Sequence, residues 1–286
     1  MLLTGRDGQV GWELGRALAP LGDLVATDRA ALDLADFDAI RRVVREARPE
    51  VIVNAAAYTA VDQAESEPGL AMRVNGEAPG VLAEEARRLG ALLVHYSTDY
   101  VFDGAKAAPY VEEDAPSPLN VYGRSKLAGE RAIAAGGCRH LILRTSWVYG
   151  ARGRNFFLTV ARRARAGEAL RVVDDQTGVP TSSSFLARST AAIVPCMASG
   201  KHAPGGNLWH LVPRGRTTWC GFARAIVAAL GLQARVDAIR TEQYPAAARR
   251  PRYSVLEGRR AASAFELDQP AWEALLAECA AGQRRV

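Results

Sequence analysis

Short apolar runs and helical periodicities alternate through the first half of the chain. MLLTG reads as a strand, and WELGRALAPLG follows with Leu14, Ala17, Leu18 and Leu21 at helical spacing. DLVATD is a second strand, FDAIRRVVREARP a helix with a basic outer face, and EVIVNAA a third strand. EAPGVLAEEARRLG is a helix, and ALLVHYSTD and CRHLILRTSWVYG are further strands. Strands this continuously apolar are buried on both faces, as in a parallel sheet covered by helices. Right-handed crossovers then build an α/β, doubly wound sheet.

After Gly150 the rhythm loosens. Residues 154–167 are expected to be helical, RVVDD a short strand and QTGVPTSS a turn-rich link. Residues 185–199 and 218–231 read as helices, NLWHLV as a strand, and 270–281 as a closing helix. The expected organisation is a dinucleotide-type domain over 1–150, to which about 183–212 returns. A smaller α/β substrate domain takes 151–182 and 213–286. No internal repeat or low-complexity segment interrupts this pattern.

Composition narrows the function classes. The chain has 286 residues, 49% of them hydrophobic and 23% charged, which is ordinary for a globular protein. No run approaches ~18 apolar residues and no leader pattern opens the chain, so neither a membrane span nor a signal peptide is expected. The net charge of +5 is almost all arginine, because Lys106, Lys126 and Lys201 are the only lysines. The arginines are scattered and no nucleic-acid motif accompanies them, so nucleic acid is not an expected partner. Cys138, Cys196, Cys220 and Cys279 lack metal spacing and read as reduced thiols of a cytoplasmic protein.

Gly5, Gly8 and Gly11 sit in GRDGQVG, directly after the first strand and at the mouth of the first helix. Glycines there allow a tight turn and close approach to a pyrophosphate, which rests on free helix N-terminal amides. This is the Rossmann-type fingerprint in its required context. Asp28 ends the second strand, where an acid holds adenosine ribose hydroxyls, and Arg29 beside it suits a 2′-phosphate. The bland alternative is a structural turn with a surface ion pair. Asp33 suits either an adenine amino group or a cap on the next helix.

Thr98 closes the strand ALLVHYSTD, at the edge where open parallel sheets bind ligands. A linker with Pro109, Pro116 and Pro118 leads to VYGRSK, its helix capped by Asn120 or Ser117. Tyr122 and Lys126 lie one turn apart there and share a face. A cation lowers a phenol's pKa, which makes it a better proton donor to a ketone. Lys126 also suits the hydroxyls of a nicotinamide ribose, and Thr98 suits the same carbonyl oxygen. The competing reading is a packing tyrosine with a solvated lysine.

Together these residues resemble the extended short-chain dehydrogenase/reductase superfamily. GRDGQVGWEL, VNAAAYTAVDQAESEP, HYSTDYVFDG, PLNVYGRSKLAGE, LRTSWVYG, DDQTGVPT and YPAAARRP are similar to segments of the dTDP-4-dehydrorhamnose reductase family, over residues 1 to about 280. The resemblance implies NADPH- or NADH-dependent reduction of the C4 ketone of dTDP-4-dehydro-β-L-rhamnose. It implies Tyr122 as proton donor, Lys126 as its partner and Thr98 as the carbonyl-binding hydroxyl. It places Gly8, Gln9, Val10, Asp28, Asp33, Leu34, Ala56, Ala57, Tyr58, Asp99 and Tyr100 at the cofactor. Trp147 falls at the substrate, with Asn155, Gln176 and Thr181 as further candidates and basic residues near 249–252 for a diphosphate. Some relatives hold Mg²⁺ at a dimer interface through carboxylates. Glu13 keeps one such position, but Ser184 stands where a second carboxylate belongs, which argues against a metal-bridged dimer. A monomer or a homodimer both remain open. So do two alternatives, a reductase of another dTDP-4-ketohexose and a non-catalytic dinucleotide-binding regulatory subunit.

Overall fold

The computed structural model describes residues 1–198 and 206–283. The first half runs β1 (Leu2–Thr4), α1 (Gln9–Leu18), β2 (Val25–Thr27), α2 (Phe37–Ala47), β3 (Val51–Asn54), α3 (Val61–Ala64) and α4 (Pro68–Met72). A π-helical turn, Arg73–Glu77, leads into α5 (Ala78–Leu89), followed by β4 (Leu92–Thr98), α6 (Val121–Ala135) and β5 (Arg139–Thr145). The second half runs β6 (Val148–Tyr149), α7 (Phe156–Arg165), β7 (Leu170–Val173), β8 (Thr177–Gly178), β9 (Thr181–Ser182), α8 (Ser183–Ala198) and β10 (Leu208–His210). It closes with β11 (Thr217–Thr218), α9 (Trp219–Ala229), β12 (Val236–Ile239), α10 (Arg259–Ala264) and α11 (Trp272–Gln283).

Local chemistry sets the helix starts. Asp36 caps α2 by accepting from the amides of Asp38 and Ala39. Asp33, which also suited that cap, instead closes a turn by accepting from the Ala35 amide at 2.9 Å. Asn120, not Ser117, caps α6 by accepting from the Gly123 amide at 2.8 Å. Gly8 opens α1 with no side-chain cap, which leaves that helix's first amides free for another acceptor.

Six strands form one parallel sheet in the order β2-β1-β3-β4-β5-β10. Alternate residues face opposite layers. Leu3, Val53, Val94, Leu143 and Trp209 pack with Leu14, Leu18, Leu186 and Ile193 of α1 and α8. Leu2, Ile52, Leu93 and Ile142 pack with Ile40, Val44, Leu82 and Ile133 of α2, α5 and α6. The chain leaves β1 in one direction and continues from β3 in the other, so a crevice opens at their C-terminal ends. β10 joins the far edge beside β5, with Trp209 opposite Leu143.

A separate apolar cluster holds Phe157 and Val160 of α7, Leu170 of β7, Phe222 and Ile226 of α9 and Leu276 of α11. Here β7 pairs in parallel with β12. QTGVPTSS is more ordered than a link, because it carries β8, paired with β11, and β9, paired with β6. The expected helix over 185–199 appears as α8, and residue 199 lies outside the described residues. Among the described residues no helix is long and apolar enough to cross a membrane.

Candidate functional site

A cleft of about 1110 Å³ runs along the C-terminal edge of the sheet, from Asp28 and Leu34 at one end to Trp147 and Trp219 at the other. At its centre the glycine turn brings the backbone close. Gly5 has φ +72°, a left-handed conformation that favours glycine, and a Cβ there would lie 2.9 Å from the Ala56 backbone. A Cβ on Gly11 would lie 1.9 Å from the Gly5 carbonyl oxygen. With α1 uncapped, the amides of its first turn are free and this cradle fits a diphosphate, while the Gly8 amide closes the turn on the Gly5 carbonyl at 2.9 Å. Val10, Ala56 and Ala57 line the cleft there and present only small or apolar surface.

At one end of the cleft, Asp28 accepts from the Ala31 amide at 2.9 Å and pairs with the Arg6 guanidinium. The Ala31 hydrogen bond first, with Arg6 adding to it, holds this carboxyl below its ordinary pKa despite the cost of desolvation. Arg29 turns toward Asp33 at 3.4 Å and is largely exposed. The basic residue on Asp28 is therefore Arg6, from within the glycine turn.

Further along the cleft, Thr98, Asp99, Tyr122 and Lys126 all contribute to the lining. The Thr98 hydroxyl donates to Asp99 Oδ1 at 3.0 Å and accepts from the Tyr100 amide at 3.1 Å. Desolvation pushes Tyr122 up to about 12, relieved by the Thr98 hydrogen bond and reinforced by the Asp99 charge. This departs from the expectation that Lys126 lowers the phenol's pKa. The Lys126 side chain is engaged elsewhere, donating to the Tyr96 carbonyl at 2.6 Å and meeting His95 Nε2 at 3.1 Å. Burial lowers Lys126 to about 8, with Glu130 partly offsetting it. Asp99 is pushed up to about 7 by burial, and its Oδ2 has no protein partner.

Trp147 stands at the far end in a left-handed conformation, φ +44°, which costs about 1–2 kcal/mol for an ordinary residue. Its ring stacks on Trp219 with centroids 3.6 Å apart and planes 8° apart. Gly178 lies beneath it, where a Cβ would meet the indole at 2.4 Å. The two indoles form a flat, rigid wall suited to a sugar or base face.

The RmlD substrate binding domain family matches residues 1–284 of this chain. The chain is 46% identical to the dTDP-4-dehydrorhamnose reductase of Burkholderia thailandensis, covering 98% of this chain and 97% of that one. It is 44% identical to that of Escherichia coli K12, covering 96% and 94%. The chain belongs to the dTDP-4-dehydrorhamnose reductase family. Its structure is similar to that of the Clostridium acetobutylicum dTDP-4-dehydrorhamnose reductase, with a TM-score of 0.93 at 34% identity over 99% of each chain. The Bacillus anthracis dTDP-4-dehydrorhamnose reductase, solved in complex with NADP, superposes with a TM-score of 0.89 at 35% identity over 97% of each chain.

Several segments that carry the resemblance to the dTDP-4-dehydrorhamnose reductases frame the cleft, but not every residue singled out in them lines it. Asn155 is consumed as the cap of α7, accepting from Leu158 and donating to Gln9 Oε1 at 2.8 Å. Gln176 is buried and donates to Thr241 at 3.1 Å. Thr181 is fully buried on β9, donating to the Val179 carbonyl at 3.2 Å. These three are held by internal hydrogen bonds and are not among the residues that line the cleft. Among the basic residues near 249–252, Arg250 is bound to Asp62 at 2.6 Å and Arg252 lies 3.3 Å from Glu242. Ser184 lies 3.3 Å from Ser182, and no three acidic, His or Cys side chains gather as a metal site among the described residues.

Other side chains at the site gave little sequence signal. Asn75, in the π-turn, clips Tyr58 by accepting from its amide and donating to its carbonyl, both at 2.9 Å, and reaches Ser125 of α6 at 3.1 Å. The Tyr58 phenol donates to Glu67 at 2.7 Å, and its pKa is pushed up to about 12 by desolvation, then by that partner. His95 and Trp219 are the other two. The π-turn beneath Asn75 is a local distortion of a kind often found at functional sites.

Proposed function

We propose that this protein reduces the C4 ketone of dTDP-4-dehydro-β-L-rhamnose to dTDP-L-rhamnose with a reduced nicotinamide cofactor. The observation that carries this reading is the convergence of Thr98, Tyr122 and Lys126 at one end of a cleft whose middle is the glycine cradle. Residues 1–150 with about 183–212 hold the cofactor in this reading, and 151–182 with 213–286 close over the sugar nucleotide. Gly5, Gly8, Gln9, Val10 and Gly11 take the diphosphate. Asp28, Arg29, Asp33 and Leu34 take the adenosine end, with Arg6 joining Arg29 as a 2′-phosphate reader. Ala56, Ala57, Tyr58, Asp99 and Tyr100 line the nicotinamide side. A cleft with both an acid and two arginines at the ribose position suits NADH and NADPH alike.

When bound, the reduced nicotinamide supplies the hydride to the carbonyl carbon. Tyr122 gives its phenolic proton to the carbonyl oxygen, and Thr98 donates a hydrogen bond to the same oxygen. Lys126 turns from its resting partners to the ribose hydroxyls and brings its charge to the phenol, offsetting the desolvation that raises Tyr122. The phenolate then recovers its proton from solvent through the open cleft. Trp147, braced by Trp219, positions the sugar ring. An intact donor set supports catalysis over a purely regulatory subunit. The chemistry needs no metal, and the reading places the protein in the cytoplasm as a monomer or homodimer.

Tyr122→Phe tests the assignment. It should lower turnover by at least about a hundredfold while leaving NADPH affinity within threefold, because only the proton donor is lost. Turnover comparable to the parent would overturn it.

A further inference from the structure

Three adjacent strands of the sheet carry a row of buried polar residues in register. Thr4 of β1 is in register with Asn54 of β3, and Asn54 with His95 of β4. All three are 1% exposed, and the next position along the row is Ile142 of β5. The row ends on Lys126, itself 2% exposed. Burying four polar groups side by side is costly unless each is hydrogen-bonded, and here each is.

The donors can be followed in order. The Ala56 amide donates to Thr4 Oγ1 at 3.3 Å, so the Thr4 hydroxyl sends its own proton to Asn54 Oδ1, 2.7 Å away. Asn54 Nδ2 then faces His95 Nδ1 at 3.0 Å and donates to it. A neutral imidazole that accepts at Nδ1 carries its proton on Nε2, and Nε2 lies 3.1 Å from Lys126 Nζ. Burial and the neighbouring lysine keep His95 neutral.

We infer that the Thr4–Asn54–His95 row is a positioning device that favours the neutral amine of Lys126 before cofactor arrives, so that cofactor binding draws a proton onto this lysine. The inference rests on the cofactor reading above. Desolvation of Lys126 acts in the same direction as the row. The other groups near Lys126 are engaged. Glu130, on the same helix, is paired with Arg144 of β5. From α3, α4 and their flanks, Asp62 is held by Arg250, Glu65 by the Val121 amide and Glu67 by Tyr58. Asp99 and Tyr122 lie on the cleft side with Thr98.

Thr4→Val tests this from a distance. It keeps shape on the strand but removes the hydroxyl, so Asn54 is free to reverse and His95 to accept from an ammonium. The protein is titrated with NADPH by calorimetry near pH 8 in two buffers of different ionisation heat. The parent should take up a fraction of a proton per NADPH bound. Thr4→Val should take up less, and the alkaline limb of its kcat/KM profile should move up by about half a pH unit, a threefold gain in proton affinity. His95→Gln, whose amide can also accept, should shift in the same direction and stands in if Thr4→Val does not fold. No proton uptake by the parent, or equal uptake in the variants, would overturn the inference. Absence of NADPH binding would instead overturn the cofactor reading and this inference with it.

Discussion

Gly11 and Gly15 lie one turn apart on α1, yet their surroundings predict opposite outcomes for the same substitution. In Gly11→Ala the new Cβ falls 1.9 Å from the Gly5 carbonyl oxygen and 2.7 Å from its carbon. Comfortable contact needs about 3.5 Å, so the turn must open by roughly 1.5 Å. Both atoms are backbone, and no side-chain rotation relieves the clash. The opening carries the amides of the cradle off a bound diphosphate. Each charge-assisted hydrogen bond lost costs about 1.5–3 kcal/mol. Loss of one predicts a cofactor Kd weakened by roughly 10- to 150-fold. At Gly15 nothing lies within 4 Å of the added Cβ. Gly15→Ala should leave Kd within twofold and stabilise the helix by about 0.5–1 kcal/mol. Quenching of tryptophan fluorescence by NADPH gives Kd, and urea denaturation gives stability. Equal cofactor affinity for Gly11→Ala and the parent would refute the reasoning, as would an equal loss in both variants.

Two further predictions concern buried charge. Arg144 donates to Glu130 through Nε at 2.8 Å and Nη2 at 2.6 Å, with the side chains only 3% and 5% exposed. Arg144→Met strands that carboxylate and should cost about 3–5 kcal/mol in urea denaturation, much of it recovered on adding Glu130→Leu; a cost below about 1 kcal/mol would contradict the pairing. Asp99 is raised from 3.8 to about 7, so the folded state retains a proton that the unfolded chain gives up between those values. Its contribution to stability is full below pH 3.8 and is lost as pH rises toward about 7. Asp99→Asn should therefore gain on the parent by roughly 3 kcal/mol between pH 4 and pH 7.5, and parallel stability profiles would contradict this.

The first half was legible because its signals are local. Continuous apolar strands, helical spacing and a glycine turn between strand and helix are all readable within a dozen residues. The second half was harder, because β12 buries little of its length and β8 and β9 are two residues each. Such strands exist only through partners far along the chain. The same reason hid His95. Within HYSTD it is one polar residue among several, and its meaning comes from register with Asn54 and contact with Lys126. Tyr122 and Lys126 could be placed on one helical face by counting. Counting did not reveal that Lys126 bends down to Tyr96 and His95, or that desolvation dominates the phenol. Asn155 and Thr181 sat in suggestive segments, but which way such side chains turn is decided by packing.

The most direct measurement is turnover of the parent protein with dTDP-4-dehydro-β-L-rhamnose, generated in situ, following loss of reduced nicotinamide absorbance with NADPH and with NADH. The account predicts rapid oxidation with this keto-sugar, little with other dTDP-4-ketohexoses, and no change on adding a chelator. Tight NADPH binding without oxidation of any kind would contradict it.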